Sequence, residues 1–267
     1  MNEKVRIGLA FIVSSAILLS LFGFSVYAEE NEGSAHISAT QGNCGNGVNW
    51  TFESATDTLT ITGEGMMSDY GRYKPSPWNE QRQLVRNIIV EEGVTHIGDY
   101  AFYNHSNLTD VSLPDGLLSI GGFSFQGCSL LENGEIPDTV TDINEGAFYK
   151  CEKLSSVALP EGLLCIGNKA FGEDTELTEL KGFPGNIKVK TIGSDAFYNC
   201  TKCETLKNLS FNTGLETIGE RAFAKSCVVT VSLPDSVTTI ETNAFQNCIE
   251  LKEATLPDSV STIGNGV

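Results

Sequence analysis

The chain has 267 residues, with 34 Asp or Glu against 17 Lys or Arg, giving a formal charge of −17. A hydrophobic content of 40% argues against wholesale disorder, and the acid excess argues against nucleic acid and anionic membrane surfaces as partners. Three scattered histidines, His36, His96 and His105, leave little material for a His-rich metal or acid–base centre.

Lys4 and Arg6 precede an apolar run from Ile7 to Phe24, and Val26-Tyr27-Ala28 supplies a small-residue cleavage pattern before Glu29-Glu30. That order predicts an export signal over residues 1–28. A retained anchor is the competing reading, because the run approaches the lower end of a spanning length. No later segment is apolar enough to span a bilayer, so after signal removal the chain is expected to have no membrane insertion and to be secreted or held at the cell surface. Residues 29–41 are small and polar and read as a linker. In residues 42–87, Val48 to Phe52 and Thr58 to Thr62 alternate polar and apolar residues around Ala55-Thr56-Asp57. This predicts a hairpin within a small β-rich N-terminal cap. A loop holding Pro75, Pro77 and Trp78 follows.

From residue 88 to 267 one unit is written repeatedly. Ile-Gly or a close variant begins at Ile97, Ile120, Ile143, Ile166, Ile192, Ile218, Ile240 and Ile263, at offsets of 23, 23, 23, 26, 26, 22 and 23. A Phe follows five residues later, at Phe102, Phe125, Phe148, Phe171, Phe197, Phe223 and Phe245. Six residues further on stands Leu108, Leu131, Leu154, Leu177, Cys203, Val229 or Leu251, and an apolar-Pro pair closes most units. Such a fixed period means a solenoid, here of about seven repeats with an incomplete last one. Each unit predicts a short strand (Leu108 to Leu113), a second extended segment (Leu117 to Ile120), and a corner through Phe125 read as a single helical turn. The units starting at Ile166 and Ile192 carry three extra residues and are expected to bulge.

The recurring Ile-Gly-x-x-Ala-Phe-x-x-Cys-x-x-Leu-x-x-Val-x-Leu-Pro resembles the BspA-type leucine-rich repeat of bacterial surface and secreted proteins. Ile143 to Pro160 and Ile240 to Pro257 are its cleanest copies, and residues 42–87 resemble the β-rich lead-in found ahead of such arrays. The resemblance implies a right-handed, β-rich leucine-rich-repeat solenoid with short helical turns. It also implies an interaction role at the cell surface, such as adhesion to a protein or glycan, without implying one ligand. Two alternatives stay open: a structural spacer, and the non-catalytic repeat region of a larger exported hydrolase.

Cys128, Cys151, Cys200 and Cys248 share the slot three residues after the Phe, which His105, Asp174 and Ser226 fill elsewhere. An even count of eight cysteines in an exported chain invites disulfides. Recurrence in one slot points instead to buried thiols chosen for size. Cys128 and Cys151, one rung apart, are the pair that stacking could bring within bonding distance. Cys200-x-x-Cys203 is a lone pair, and Cys203 already fills the Leu slot. No nucleophile elbow, metalloprotease motif, phosphate loop or EF-hand is present, so no enzyme, cofactor or metal is expected.

Binding is expected on the strand face, through Thr109, Asp110, Ser112, Glu132, Glu135, Ser155, Ser156, Thr178, Glu179, Glu204, Thr205, Thr230, Ser232, Lys252 and Glu253. That face has no aromatic residue. The tyrosines Tyr100, Tyr103, Tyr149 and Tyr198 fall on the Ala-Phe corner instead. The final Ile263 to Val267 stops partway into a unit, which predicts a longer native polypeptide or a fraying last rung.

Overall fold

The computed structural model describes residues 24–26, 37–185 and 188–267. Apart from Phe24–Val26, which pairs antiparallel with Ile37–Ala39, the expected leader lies outside the described residues, as does most of the expected linker. Among the described residues no helix is long and apolar enough to cross a membrane.

The chain winds as a solenoid whose turns are joined on three sides. On the first side, Gly65–Met66, Val94–Ile97 and each later Ile pair, ending with Thr262–Ile263, form a nine-stranded parallel sheet. Its register places Ile97 beside Ile120, Ile120 beside Ile143, and so on to Ile263. From Ile97 to Ile240 these side chains have no exposed surface.

The second side is the strand face. It begins in the cap, where Gln41–Gly45, Val48–Glu53 and Thr58–Gly63 pair antiparallel. Thr58–Gly63 then pairs in parallel with Asn87–Val90, and that strand with Asp110–Ser112. The cap is therefore hydrogen-bonded into the solenoid. Its alternation holds as the sequence predicts, with Val48, Trp50 and Phe52 buried and Asn49, Thr51 and Glu53 exposed.

The third side is the corner, and here the expected helical turn does not form. Instead two residues per corner adopt positive φ, at three and seven positions beyond the Ile. Tyr100 and Asn104 do so in the first corner, Lys169 and Glu173 in another, and Gly146 and Lys150 in a third. In an α-helix every N–H points along the helix axis. A left-handed residue at every fourth position instead leaves every second N–H facing the next rung. Phe123, Phe125 and Gly127 donate to the carbonyls of Glu145, Ala147 and Tyr149 at 2.7, 2.8 and 2.9 Å. The corner is thus a third inter-turn ladder, and among the described residues the helical elements are the 3-10 turns Asn79–Gln81 and Glu204–Leu206.

Inside these ladders the phenylalanines form one column. Phe125, Phe148, Phe171, Phe197, Phe223 and Phe245 stack at centroid separations of 5.3–5.7 Å with ring planes within 14° of parallel. Phe148, Phe197 and Phe245 are only 3%, 0% and 7% exposed. Trp78 extends the column into the cap, stacking on Phe102 at 5.7 Å while its indole N–H donates to the Ala101 carbonyl at 2.9 Å. Each buried ring contributes about 1.5–3 kcal/mol by burial, and each ring pair about 0.5–1.5 kcal/mol more.

The slot after the Phe forms a second column. The Cys128, Cys151, Cys200 and Cys248 thiols donate to the carbonyls of Phe102, Phe125, Phe171 and Phe223, in each case the preceding rung's Phe, at 3.0–3.3 Å. A small donor satisfies a carbonyl there without crowding the rings. All eight cysteines are free. Besides the thiols, two residues in the slot are titratable. Burial pulls the His105 imidazole down to about 4, and its Nε2 has no partner. Burial also pushes the Asp174 carboxyl well above its ordinary range, although the Cys151 amide donates to Oδ1 at 2.8 Å.

Two measurements follow from the columns. Phe148→Ala should lower the unfolding free energy by about 3–5 kcal/mol in urea titration, leaving the isolated rungs unable to refold separately. The slot residues should tilt the pH profile of stability in opposite directions. Unfolded His105 takes its proton first as pH falls, so its stability is lost from about 6.5 down to about 4. Folded Asp174 holds a proton that the unfolded chain releases, so stability is lost as pH rises above about 3.9. Asp174→Cys should therefore be more stable than the parent at pH 7 with the gain vanishing near pH 3, and a parental pH slope in that variant would contradict the buried carboxyl.

Candidate interaction face

The strand face is built from three-residue strands because each rung has only enough extended chain for one inward and two outward side chains. In Asn133–Glu135, Ser156–Ala158 and Glu179–Lys181 the register sets Asn133, Ser156 and Glu179 in one outward row and Glu135, Ala158 and Lys181 in the other. Gly134, Val157 and Leu180 occupy the inward position. Farther on, Asn208–Ser210, Thr230–Ser232 and Glu253–Thr255 repeat the arrangement, with Asn208, Thr230 and Glu253 in one row.

Every residue expected at this face is exposed or half-buried, but their roles divide. The Thr109, Ser155 and Thr178 hydroxyls donate to the carbonyls of Arg86, Glu132 and Ser155 at 3.1, 3.0 and 2.9 Å, so they brace the ladder from its edge. Ser156 donates to Glu179 Oε2 at 3.3 Å, and Thr230 to Asn208 Oδ1 at 2.9 Å. Asp110, Ser112, Glu135, Glu179, Ser232 and Glu253 are exposed strand residues, while Glu132 and Lys252 each sit one place ahead of a strand.

Glu204 and Thr205 are corrected by the structure: they lie in the 3-10 turn Glu204–Leu206, not on a strand. The surplus residues of that rung are wound into this turn, and the strand follows at Asn208–Ser210. The turn docks where a strand would, with Glu204 N donating to the Thr178 carbonyl at 2.8 Å and Leu180 N donating to Thr205 Oγ1 at 3.0 Å. The strand face is consequently split, while the Ile sheet runs through the same rungs without interruption.

A second split lies nearer the cap. Asp110–Ser112 and Asn133–Glu135 belong to different sheets, and between them opens a recess of about 560 Å³. Asp110, Ser112, Asn133, Glu135, Ser156 and Lys181 supply its polar rim, and Val111 and Leu113 supply part of its floor. The split falls at Gly134, which stands where Val111 and Val157 stand in neighbouring rungs and offers no side chain to pack against them. The recess gathers four of the expected residues: Asp110, Ser112, Glu135 and Ser156. It also brings in Lys181, the cation on the rim, whose position in the register of Ser112 and Glu135 is the signal that would have found it. The arrangement presents two carboxylates, an ammonium, hydroxyls and an amide over an apolar floor, a chemistry suited to hydrogen-bonding a polar ligand and unsuited to covalent catalysis. Burial pushes every one of the eight thiols above its ordinary range, Cys44 and Cys203 to about 12, which disfavours the thiolate form.

The profile of the BspA type leucine rich repeat region matches residues 80–204 and 183–267 in six copies, together more than half of the chain. Among solved structures, a leucine-rich repeat protein from T. pallidum is 24% identical, with a TM-score of 0.50 over 80% of this chain and 82% of its own. One from Bacteroides ovatus is 21% identical, with a TM-score of 0.48 over 82% of this chain and 78% of its own. A leucine rich cell surface protein from Faecalibacterium prausnitzii is 20% identical, with a TM-score of 0.42 over 90% and 79%. At 24% identity the likeness to the T. pallidum protein is one of fold. No curated protein matches.

A Cβ on Gly134 would meet the Val157 methyl groups at 3.7 and 3.8 Å, ordinary contact distances. Gly134→Ala should therefore raise the unfolding free energy by about 0.5–1 kcal/mol, as removal of a strand glycine does. Chemical denaturation is the check. A loss of stability would mean that the open seam is required by the fold.

Proposed function

We propose that this chain, which belongs to the BspA-type leucine-rich repeat family, is an exported, non-catalytic interaction module that holds a protein or glycan partner on its strand face. The observation that carries the reading is the recess at the Gly134 seam. A continuous ladder is opened there, and hydrogen-bonding side chains from four successive rungs converge over it. Stacked repeats of this kind present an extended surface on which contacts from several rungs add together. The leader pattern of residues 1–28 supports export. The acidic rim favours a partner with basic or hydroxyl-rich chemistry and disfavours nucleic acid.

Purified chain immobilised on a biosensor and presented with extracellular-matrix proteins and mucin-type glycans should retain at least one of them. Reversing charge at Glu132, Glu135 and Glu179 to Lys should weaken that capture by about tenfold or more, chiefly in dissociation rate. A corner reversal, Lys150→Glu, should leave it unchanged. Capture that survives the triple reversal would move the site off the strand face. No capture from either panel would favour the spacer reading.

A further inference from the structure

Away from the strand face, the loop after the cap hairpin meets the first corner of the solenoid and encloses a cleft of about 380 Å³. Its charged lining is Arg72 and Arg82, with no carboxylate. That reverses the composition of a chain with 34 acids and 17 bases. Among the described residues neither arginine enters an ion pair. Arg82 is held in place by donating one N–H to the Asn79 carbonyl at 3.0 Å, which leaves the rest of its donor fork available. Arg72 lies with its guanidinium carbon 5.9 Å from the centre of the Tyr103 ring. Tyr103 and Tyr100 stand with ring centroids 5.4 Å apart at 56°, and Tyr100 is backed by Phe123 at 5.0 Å, so the aromatic wall is braced before any ligand arrives.

We infer that this cleft binds a carboxylate-bearing sugar residue, the arginines meeting the carboxylate and the tyrosine wall meeting the ring. Arginine is suited to planar carboxylates through paired N–H donors. The half-buried tyrosine rings supply a flat apolar surface for the C–H face of a pyranose, and Asn79 and Asn104 supply amide donors and acceptors for its hydroxyls. The space is of ordinary small-ligand size. Its lining comes from turns and loop rather than from a strand edge, so it offers no main-chain ladder to an extended peptide. A bare anion would leave the aromatic wall unused. This site lies outside the strand-face reading and does not depend on it.

The test titrates the full chain at low salt with D-glucuronate, N-acetylneuraminate, D-glucose and inorganic phosphate, followed by calorimetry and by shifts of the Tyr100 and Tyr103 ring resonances. At least one acidic sugar should bind at least about tenfold more tightly than glucose and than phosphate, and which acid binds identifies the source of the carboxylate. Arg72→Gln, at an exposed side chain, should reduce that affinity about tenfold without moving the thermal midpoint. Arg82→Gln and Tyr103→Leu should do the same, with circular dichroism verifying that each variant is folded. Reversal of Glu132, Glu135 and Glu179 should leave the acidic-sugar affinity unchanged, which separates this site from the strand face. Acidic sugars binding no better than glucose, phosphate binding as tightly as the acidic sugars, or Arg72→Gln without effect would each overturn the assignment.

Discussion

Neighbouring rungs lie one strand spacing apart, on the order of 4.8 Å, on three sides at once. At that separation a side chain has little choice of inward neighbour: it meets the residue at its own position in the next rung. Each inward position becomes a column, and only groups that pack against copies of themselves, or that satisfy the rung beside them, can fill it. Phenylalanine and isoleucine meet the first condition. The cysteine slot meets the second, because its thiols reach back to the Phe carbonyls of the rung before. Two of the three exceptions in that slot, His105 and Asp174, show what a titratable group undergoes when a column excludes water around it.

Column logic also decides what could be read from the sequence. The Ile and Phe columns repeat in residue type as well as spacing, so the solenoid and the repeat part of its core were legible. The corner ladder was not. Several of its left-handed positions are held by Tyr100, Lys169, Glu173 and Arg221, side chains that carry no left-handed signal. Gly127 and Gly146, with Asn104, Asn199, Asn243 and Asn247 in the equivalent slots, were the available clue. Trp78 was likewise missed as the head of the Phe column, because it stands in a proline-bordered loop outside the repeat register.

The strand face was legible in part for the same reason. Register located the outward rows, yet it treated every rung as equivalent. The distinguishing features are single departures: Gly134 in place of a Val, and three surplus residues wound into Glu204–Leu206. Nor could periodicity foresee the arginine cleft, where one wall comes from the loop before the first repeat and the other from the first corner. The outcome is a chain with two chemically distinct surfaces, an acid- and hydroxyl-rich recess on the strands and a cationic, aromatic cleft at the junction with the cap.

The uninterrupted Ile sheet beside the split strand face bears on how such a molecule can change over time. Lengthened rungs have been admitted on one flank while the opposite flank kept count, as the unbroken pairing of Ile166, Ile192 and Ile218 shows. The flank at Glu204–Leu206 thus takes up added peptide without shifting the winding of downstream coils, so the strand side can diversify on a frame whose indexing is kept elsewhere.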